Sequence, residues 1–449
     1  MTTDLIAKYD SRVPRYTSYP TAPHFHPAID AVTYRHWLRG LSAATSLSLY
    51  LHVPFCRALC WFCGCHTKAS RRAAPIGRYA ELLEREIDLI ADALPARLAV
   101  SHIHWGGGSP TLLAAADFAR LAARLRERFS LAPGAGIAIE IDPRTATKPM
   151  IGALAANGVN RASLGIQDFD PLVQEAIGRI QSFATTRRVA QWLKEAGIHA
   201  INLDLLYGLP HQTVDKVAKT LRQALALAPA RIALFGYAHV PWMKKNQSLI
   251  DEQALPGPAE RVAQFAAAQD ILQAAGYVAI GLDHFARADD AMAVSLANGT
   301  LRRNFQGYTT DSADALIGLG ASAIGALPQG YVQNAADTAA WSRAIAAGHL
   351  ATVRGIRLSA DDRARRTIIE RLMCDMEVDL ESAAMAHGVA ASDFADEIDA
   401  AVPLAADGLV AIDGTRVRIT EAGRPYARVV CALFDRYLNA AQQRHARAL

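Results

Sequence analysis

Cys56, Cys60, Cys63 and Cys65 fall within ten residues in the run YLHVPFCRALCWFCGCH, and the first three have the spacing C-x-x-x-C-x-x-C. Three thiolates from one loop can hold three irons of a [4Fe-4S] cube and leave the fourth iron without a protein ligand. An iron left open in this way can chelate the amino and carboxylate groups of S-adenosylmethionine (SAM). One electron from the cube then splits the sulfonium to give a 5'-deoxyadenosyl radical.

Two other chemistries compete for these thiols. A structural zinc site normally joins two separated ligand pairs, and no second pair is visible, although the four nearby thiols could still close on one ion. Disulfides suit the pattern less well. Cys374 and Cys431 stand alone in apolar helical stretches and read as core residues. No leader pattern opens the sequence, so a reducing, cytoplasmic location is expected.

A loop of this kind needs a scaffold. The 449 residues, 51% of them hydrophobic, can bury a large core and are expected to form two or three domains. No apolar run approaches the about 20 residues that cross a membrane, so no membrane partner is expected. The formal charge of +4 is small for this length and mildly suits an anionic substrate.

From Leu47 to about Phe285 short β-rich runs alternate with Ala/Leu/Arg-rich stretches of helical spacing, which implies parallel βα units. The strand candidates are 48–54, 101–107, 137–143, 161–167, 201–208 and 231–240, with 277–286 as a further one. Such units close into a full or partial (β/α) barrel, with chemistry at the C-terminal ends of the strands. The cysteine loop follows the first strand. After the second comes a glycine-rich turn, Gly106, Gly107, Gly108 and Ser109, whose bare backbone can approach a ligand and offer it N–H groups. The third strand ends in Glu140 and Asp142, which alternation puts on one face. The fourth ends in Gln167 and Asp168, the fifth in Asp204 and Tyr207. These polar ends can address ribose hydroxyls or an ammonium; the competing reading is internal salt bridges, for instance Glu140 with Arg161 or Arg179.

The cysteine spacing resembles that of the radical SAM superfamily. The longer series PRYTSYPTAPHF, CWFCGC, IEIDPR, SLGIQDF, NLDLLYGLP, YAHVP, GLDHFAR, RNFQGYTT and GASAIG resembles the oxygen-independent coproporphyrinogen III oxidase family over nearly the whole chain. The resemblance implies a radical SAM barrel and decarboxylation of two propionates of coproporphyrinogen III to vinyl groups, giving protoporphyrinogen IX. It implies Cys56, Cys60 and Cys63 as cluster ligands, with Cys65 outside the set. Tyr50 and Phe62 would lie near the cluster and its SAM, and Gly107, Gly108, Ser109, Glu140 and Ile324 would line that SAM pocket. Gln167, Arg179, Asp204 and Ala238 would serve a second SAM. Tyr50, Phe305 and Gln306 are the expected catalytic set, and Arg15, Tyr16, Tyr19 and Tyr308 are candidates for gripping the macrocycle. An electron donor of flavodoxin or ferredoxin type is implied, and a monomer is expected. Trp61, Ser109 and Gly236 depart from the family's usual Tyr, Thr and Asn, and Gly236 puts a polar contact at the ligand mouth in doubt. The rival reading is a paralogue in heme handling, a chaperone or a heme-degrading methyltransferase; the chaperone branch typically lacks the RYTSYPT segment and the fourth cysteine, both present here.

Three domains follow. Residues 1–45 form an N-terminal segment, a poor helix or strand over PRYTSYPTAPHF, expected to cover the active site. Residues 46–359 form the barrel. From about Ala360 the βα alternation stops, and 360–449 read as a mainly helical, winged-helix-like domain with a hairpin turning on Asp413 and Gly414. It has no dense basic stripe, so no nucleic acid is expected.

Overall fold

A computed structural model describes residues 3–438. Its centre is a 12-stranded sheet. We number the strands β1 (Ser46–Val53), β2 (Ala99–Gly107), β3 (Ser130–Ile141), β4 (Arg161–Gln167), β5 (Ala200–Tyr207), β6 (Arg231–Gly236), β7 (Tyr277–Ile280), β8 (His284–Arg287), β9 (Ala315–Leu319), β10 (Ile324–Leu327), β11 (Gly330–Asn334) and β12 (Thr352–Arg357). Their order is β12-β11-β10-β9-β1-β2-β3-β4-β5-β6-β8-β7. β9 and β1 to β6 are joined by parallel pairings. Antiparallel strands extend both flanks.

The sheet has two ends, β12 and β7, so the barrel is partial. Helices follow the parallel strands, at Ala73–Ala93, Ala115–Arg128, Lys148–Ala156, Phe183–Glu195, Val214–Leu225 and Pro258–Ala274. Along β1, Leu47, Leu49, Leu51 and Val53 join the core under these helices, which leaves the alternate residues Ser48, Tyr50 and His52 facing the barrel interior. The segment 277–286, read above as one strand, is a hairpin instead. Gly281 at φ +54° turns the chain there. β9 to β12 fall outside the strand candidates: β9 to β11 follow one another with no helix between them, and β12 after the helix Thr338–Ala346 pairs antiparallel.

The N-terminal segment contains two helices, Thr3–Tyr9 and Ala31–Arg39, the second capped by the Asp30 side chain on Thr33 N–H. Between them the chain is irregular, as its prolines require, and it is built into the rest of the molecule. Tyr16 and Tyr19, 3% and 1% exposed, belong to the core of residues 364–434. His26 bridges to Gly355 on the edge strand β12. Beyond residue 360 lie the helices Ala360–Asp375, Leu380–Met385, Ala395–Ala406 and Ala427–Leu433, with a three-stranded sheet of 377–379, 410–413 and 416–419. Residues 439–449 lie outside the described part of the chain.

Candidate active site

The cysteine loop leaves the C-terminal end of β1 and is fastened from two sides. A short parallel ladder pairs Phe55 with Lys68 and Cys56 with Ala69. On the other side Asn246 Nδ2 donates to the carbonyls of Cys60, Trp61 and Cys63 at 3.1, 3.1 and 2.9 Å. Buried Gln247 donates through Nε2 to Phe62 O and Ala238 O. Nothing in the sequence pattern singled out Asn246 or Gln247. They act by fixing a loop backbone, a role that leaves no residue-type signature.

Each of the three sulfurs already meets a donor. Thr67 Oγ1 donates to Cys56 Sγ at 3.3 Å. Arg144 Nη2 and Arg179 Nη1 both donate to Cys60 Sγ at 3.4 Å. Cys65 N–H donates to Cys63 Sγ at 3.4 Å. The Cys65 thiol, and then its N–H, hold the Cys63 thiol below its usual range, whereas burial pushes Cys56 up. Sulfurs supplied with N–H and O–H donors suit the anionic ligands of an iron–sulfur cube. Among the described residues no three His, Cys, Asp or Glu converge on a point where one metal ion would sit. The thiolates of a cube each take a different iron, so this donor set fits a cluster.

Across the loop the inward faces of β1, β2 and β3 make a second group. Tyr50 OH bonds His52 Nδ1 at 3.0 Å, and the Tyr50 ring stacks on His104 at 5.8 Å. Glu140 accepts from Gly107 N–H at 3.1 Å and lies 3.2 Å from His104 Nε2. A Cβ on Gly106 would stand 2.8 Å from Glu140 Oε1 and 2.9 Å from the Tyr50 ring, and one on Gly108 would strike Phe55 O and Thr67 Oγ1. Burial, then the nearby Glu140 charge, raises the Tyr50 phenol well above its usual range.

The glycine turn differs from expectation in one respect. Its amides are spent inside the protein, Gly107 on Glu140, Gly108 on Val53 O at 2.9 Å and Ser109 on Phe55 O at 2.7 Å. What the turn has left for an ammonium is carbonyl oxygen. Ile324 opens β10 against Gly318, which stands in register with Tyr50.

Glu140 and Asp142, expected to share one task, are separated. Asp142 is buried and taken by Arg144, through Nη2 at 2.7 Å, and by Arg179 at 3.4 Å. Burial opposes its charge, but the Arg179 and Arg144 guanidiniums outweigh that and hold its carboxyl below the usual range. The salt bridge considered for Arg179 thus exists with Asp142, while Arg161 faces Asp290 at 3.7 Å. Asp168 is structural: Gln212, Thr220 and Asp170 N–H surround it, and burial pushes it up to about 6. Asp204 faces inward with both oxygens engaged, by Ser163 Oγ and Asn202 Nδ2, each at 2.7 Å, and burial likewise raises it to about 6. Gln167 ends β4 in a left-handed conformation, φ +71°.

Phe305 and Gln306 sit at the tip of a hairpin formed by Arg302–Asn304 and Gly307–Thr309. Phe305 lies against Tyr331 and Phe25, with ring centroids 5.3 and 6.4 Å apart, and lines a cavity of about 350 Å³ whose walls carry both Arg303 and Arg366 and the acids Asp311, Asp314 and Glu370, at the end of β1 and β9 opposite the cysteine loop. Arg303 ties that hairpin to the N-terminal segment, donating to Tyr16 O and Arg15 O and lying over the Tyr308 ring. Arg15 in turn donates to Gly236 O at 2.7 Å. The place a Gly236 side chain would take is closed by Tyr207 OH and Arg261.

The chain matches the model of the radical SAM superfamily over residues 50–224 and that of the HemN C-terminal domain over 358–426. It is 52% identical to an oxygen-independent coproporphyrinogen III oxidase of Bradyrhizobium diazoefficiens, covering 100% of both chains, and 46% identical to that of Paracoccus denitrificans, covering 96% of this chain and 95% of the other. Its fold matches the coproporphyrinogen III oxidase (HemN) from Escherichia coli, described as a radical SAM enzyme, with a TM-score of 0.90 at 38% identity over 94% of this chain and 98% of that one. The chain therefore belongs to the oxygen-independent coproporphyrinogen III oxidase family of the radical SAM superfamily.

Proposed function

We propose that the chain catalyses the oxygen-independent decarboxylation of two propionates of coproporphyrinogen III to vinyl groups, giving protoporphyrinogen IX for heme synthesis. The observation that carries this reading is the cysteine loop itself, with three sulfurs supplied with donors beside Tyr50, His104 and Glu140, in a chain matched along its full length by enzymes of that name.

The family implies a [4Fe-4S] cluster and SAM. When bound, they supply a primary alkyl radical strong enough to take a hydrogen from an unactivated propionate carbon. Cys56, Cys60 and Cys63 would hold the cluster. Glu140, the carbonyls of the 106–109 turn, Tyr50, Phe62 and Ile324 would orient the first SAM. A second SAM would meet Gln167, Asp204 and Ala238, with Arg179 behind them, since its guanidinium is 6% exposed and already committed to Asp142 and Cys60. Phe305 and Gln306, with Arg15 and Arg303 beside them, would grip the macrocycle and its carboxylates. The N-terminal segment would close over the macrocycle and exclude water. We also place the enzyme in the cytoplasm as a monomer supplied with electrons by a flavodoxin- or ferredoxin-like protein. Among the described residues no helix is long and apolar enough to cross a membrane.

Anaerobic incubation with coproporphyrinogen III, SAM and dithionite, followed by mass spectrometry, tests the reading. Stepwise loss of two carboxyl groups is expected. Unchanged porphyrinogen in protein with a full complement of iron and sulfide would refute it.

A further inference from the structure

We propose that the outer flank of the cysteine loop is the docking surface for an acidic one-electron carrier protein. The inference rests on the radical SAM reading, because only a cluster reduced one electron at a time needs such a partner.

Charge is the first observation. Residues 54–72 contain Arg57, Lys68, Arg71 and Arg72 and no Asp or Glu, a formal +4 in a chain whose net formal charge is also +4. The remaining residues therefore sum to zero, and the excess is concentrated on this loop. All four side chains are exposed. The fold gathers them: the Phe55–Lys68 and Cys56–Ala69 ladder closes the base of the loop, and Arg57 Nη1 donates to Arg71 O at 3.2 Å. Arg57 leans on that carbonyl and Lys68 on the Phe55 ring at 5.2 Å, so neither contact neutralises its charge.

The second observation is apolar surface on the loop and on the turn that touches it. Leu59 is 38% exposed and Ile180 64%. They are the chain neighbours of Cys60 and Arg179, which touch through a hydrogen bond of 3.4 Å. Around Ile180, residues 171–194 carry a single acid, Glu175, against the exposed Arg187 and Arg188. Exposed aliphatic groups beside a loop that carries one sign of charge match a small, transient and electrostatically steered protein contact. A small anionic reductant would use the charge but would have nothing to bury on Leu59 and Ile180. An electron entering here reaches the sulfur of Cys60 one residue from Leu59. In the transfer the carrier loses one electron and the cluster gains it, with no bond made or broken.

The test follows the visible absorbance of the cluster during anaerobic mixing with flavodoxin hydroquinone. In the parent enzyme the reduction rate should fall steeply between about 0.05 and 0.5 M NaCl as the charges are screened, while the rate with the methyl viologen radical cation should not fall. In the variant Arg57→Glu/Lys68→Glu/Arg71→Glu/Arg72→Glu the flavodoxin rate should drop at least about tenfold, with reduction by dithionite changed less than about threefold. A salt-insensitive flavodoxin rate in the parent overturns the proposal without recourse to any variant, as does a parental rate in the charge-reversed one. Rapid, salt-sensitive reduction without SAM cleavage would sink the functional reading and leave the docking surface standing.

Discussion

Arg144 uses one nitrogen, Nη2, for two partners: it donates to Asp142 Oδ2 at 2.7 Å and to Cys60 Sγ at 3.4 Å. A guanidinium on a ligand sulfur favours the more negative, reduced cluster and so raises its reduction potential, while Asp142 offsets part of that charge. Arg144→Met should therefore lower the potential and Asp142→Asn should raise it, as read by an EPR-monitored redox titration. Shifts of the same sign in both variants would mean that the pair only holds the loop in place.

Cys56→Ala, Cys60→Ala and Cys63→Ala should each fail to assemble a cluster, whereas Cys65→Ala should keep one that binds SAM. Cys65 touches Cys63 through its thiol, which alanine removes, and through its backbone N–H, which alanine retains. Iron and sulfide assays on the four purified proteins decide the matter, and equal loss in the Cys65 variant would count against an open iron.

Gly106→Ala puts a methyl group where Glu140 and the Tyr50 ring now meet the backbone. Displacing Glu140 from Gly107 N–H should weaken SAM binding by about 1–3 kcal/mol, similar to Glu140→Gln. Equilibrium dialysis on cluster-loaded protein measures it. Unaltered affinity would place SAM away from this carboxylate.

Arg303→Ala removes two donors to the N-terminal segment and a cation from the Tyr308 ring. Reductive SAM cleavage should persist while vinyl formation falls at least about tenfold, an effect of positioning on the reacting carbon. The ratio of 5'-deoxyadenosine to vinyl product is the readout, and a parental ratio would make the segment a passive cover.

Glu86 provides a pH test remote from the site. It is fully buried and accepts N–H bonds from Gly320, Trp341 and Asn334, yet burial raises its carboxyl from 4.5 to about 7. With the folded value above the unfolded one, its contribution to stability is complete below about pH 4.5 and is lost as pH rises through about 7. Glu86→Gln has no proton to lose, so its unfolding free energy should improve relative to the parent across that window. Chemical denaturation at several pH values would show a constant difference if the raised value were wrong.

Much of this was legible in the chain. β1 to β6 and the cysteine loop announce themselves because β-rich runs and helical spacing alternate, and because four thiols so close together have few uses. Glu140 was legible as an inward strand end. Asp142 was not, since alternation gives a face but not a partner, and the two arginines that take it come from later in the sequence. Asn246 and Gln247 were invisible for the same reason. The turn at Gly106–Ser109 was read as a close approach to a ligand, whereas its close neighbours are Glu140, Tyr50, His52 and Phe55 and its amides go to Glu140, Val53 and Phe55, which only the folded loop supplies.

The interlocking of the chain ends has a consequence in time. Tyr16 and Tyr19 are made more than 400 residues before their partners: Tyr16 OH bonds Asp435 and Tyr19 OH accepts from Arg436 N–H. During synthesis from the N-terminus, the barrel strands and the cysteine loop emerge long before the residues that hold the N-terminal segment down. The nascent enzyme therefore passes through a stage in which Cys56, Cys60 and Cys63 exist and the segment is still unseated. In that order of events, iron and sulfide can be delivered to an uncovered loop, and translation of the helix Ala427–Leu433 and the residues after it closes the door behind them.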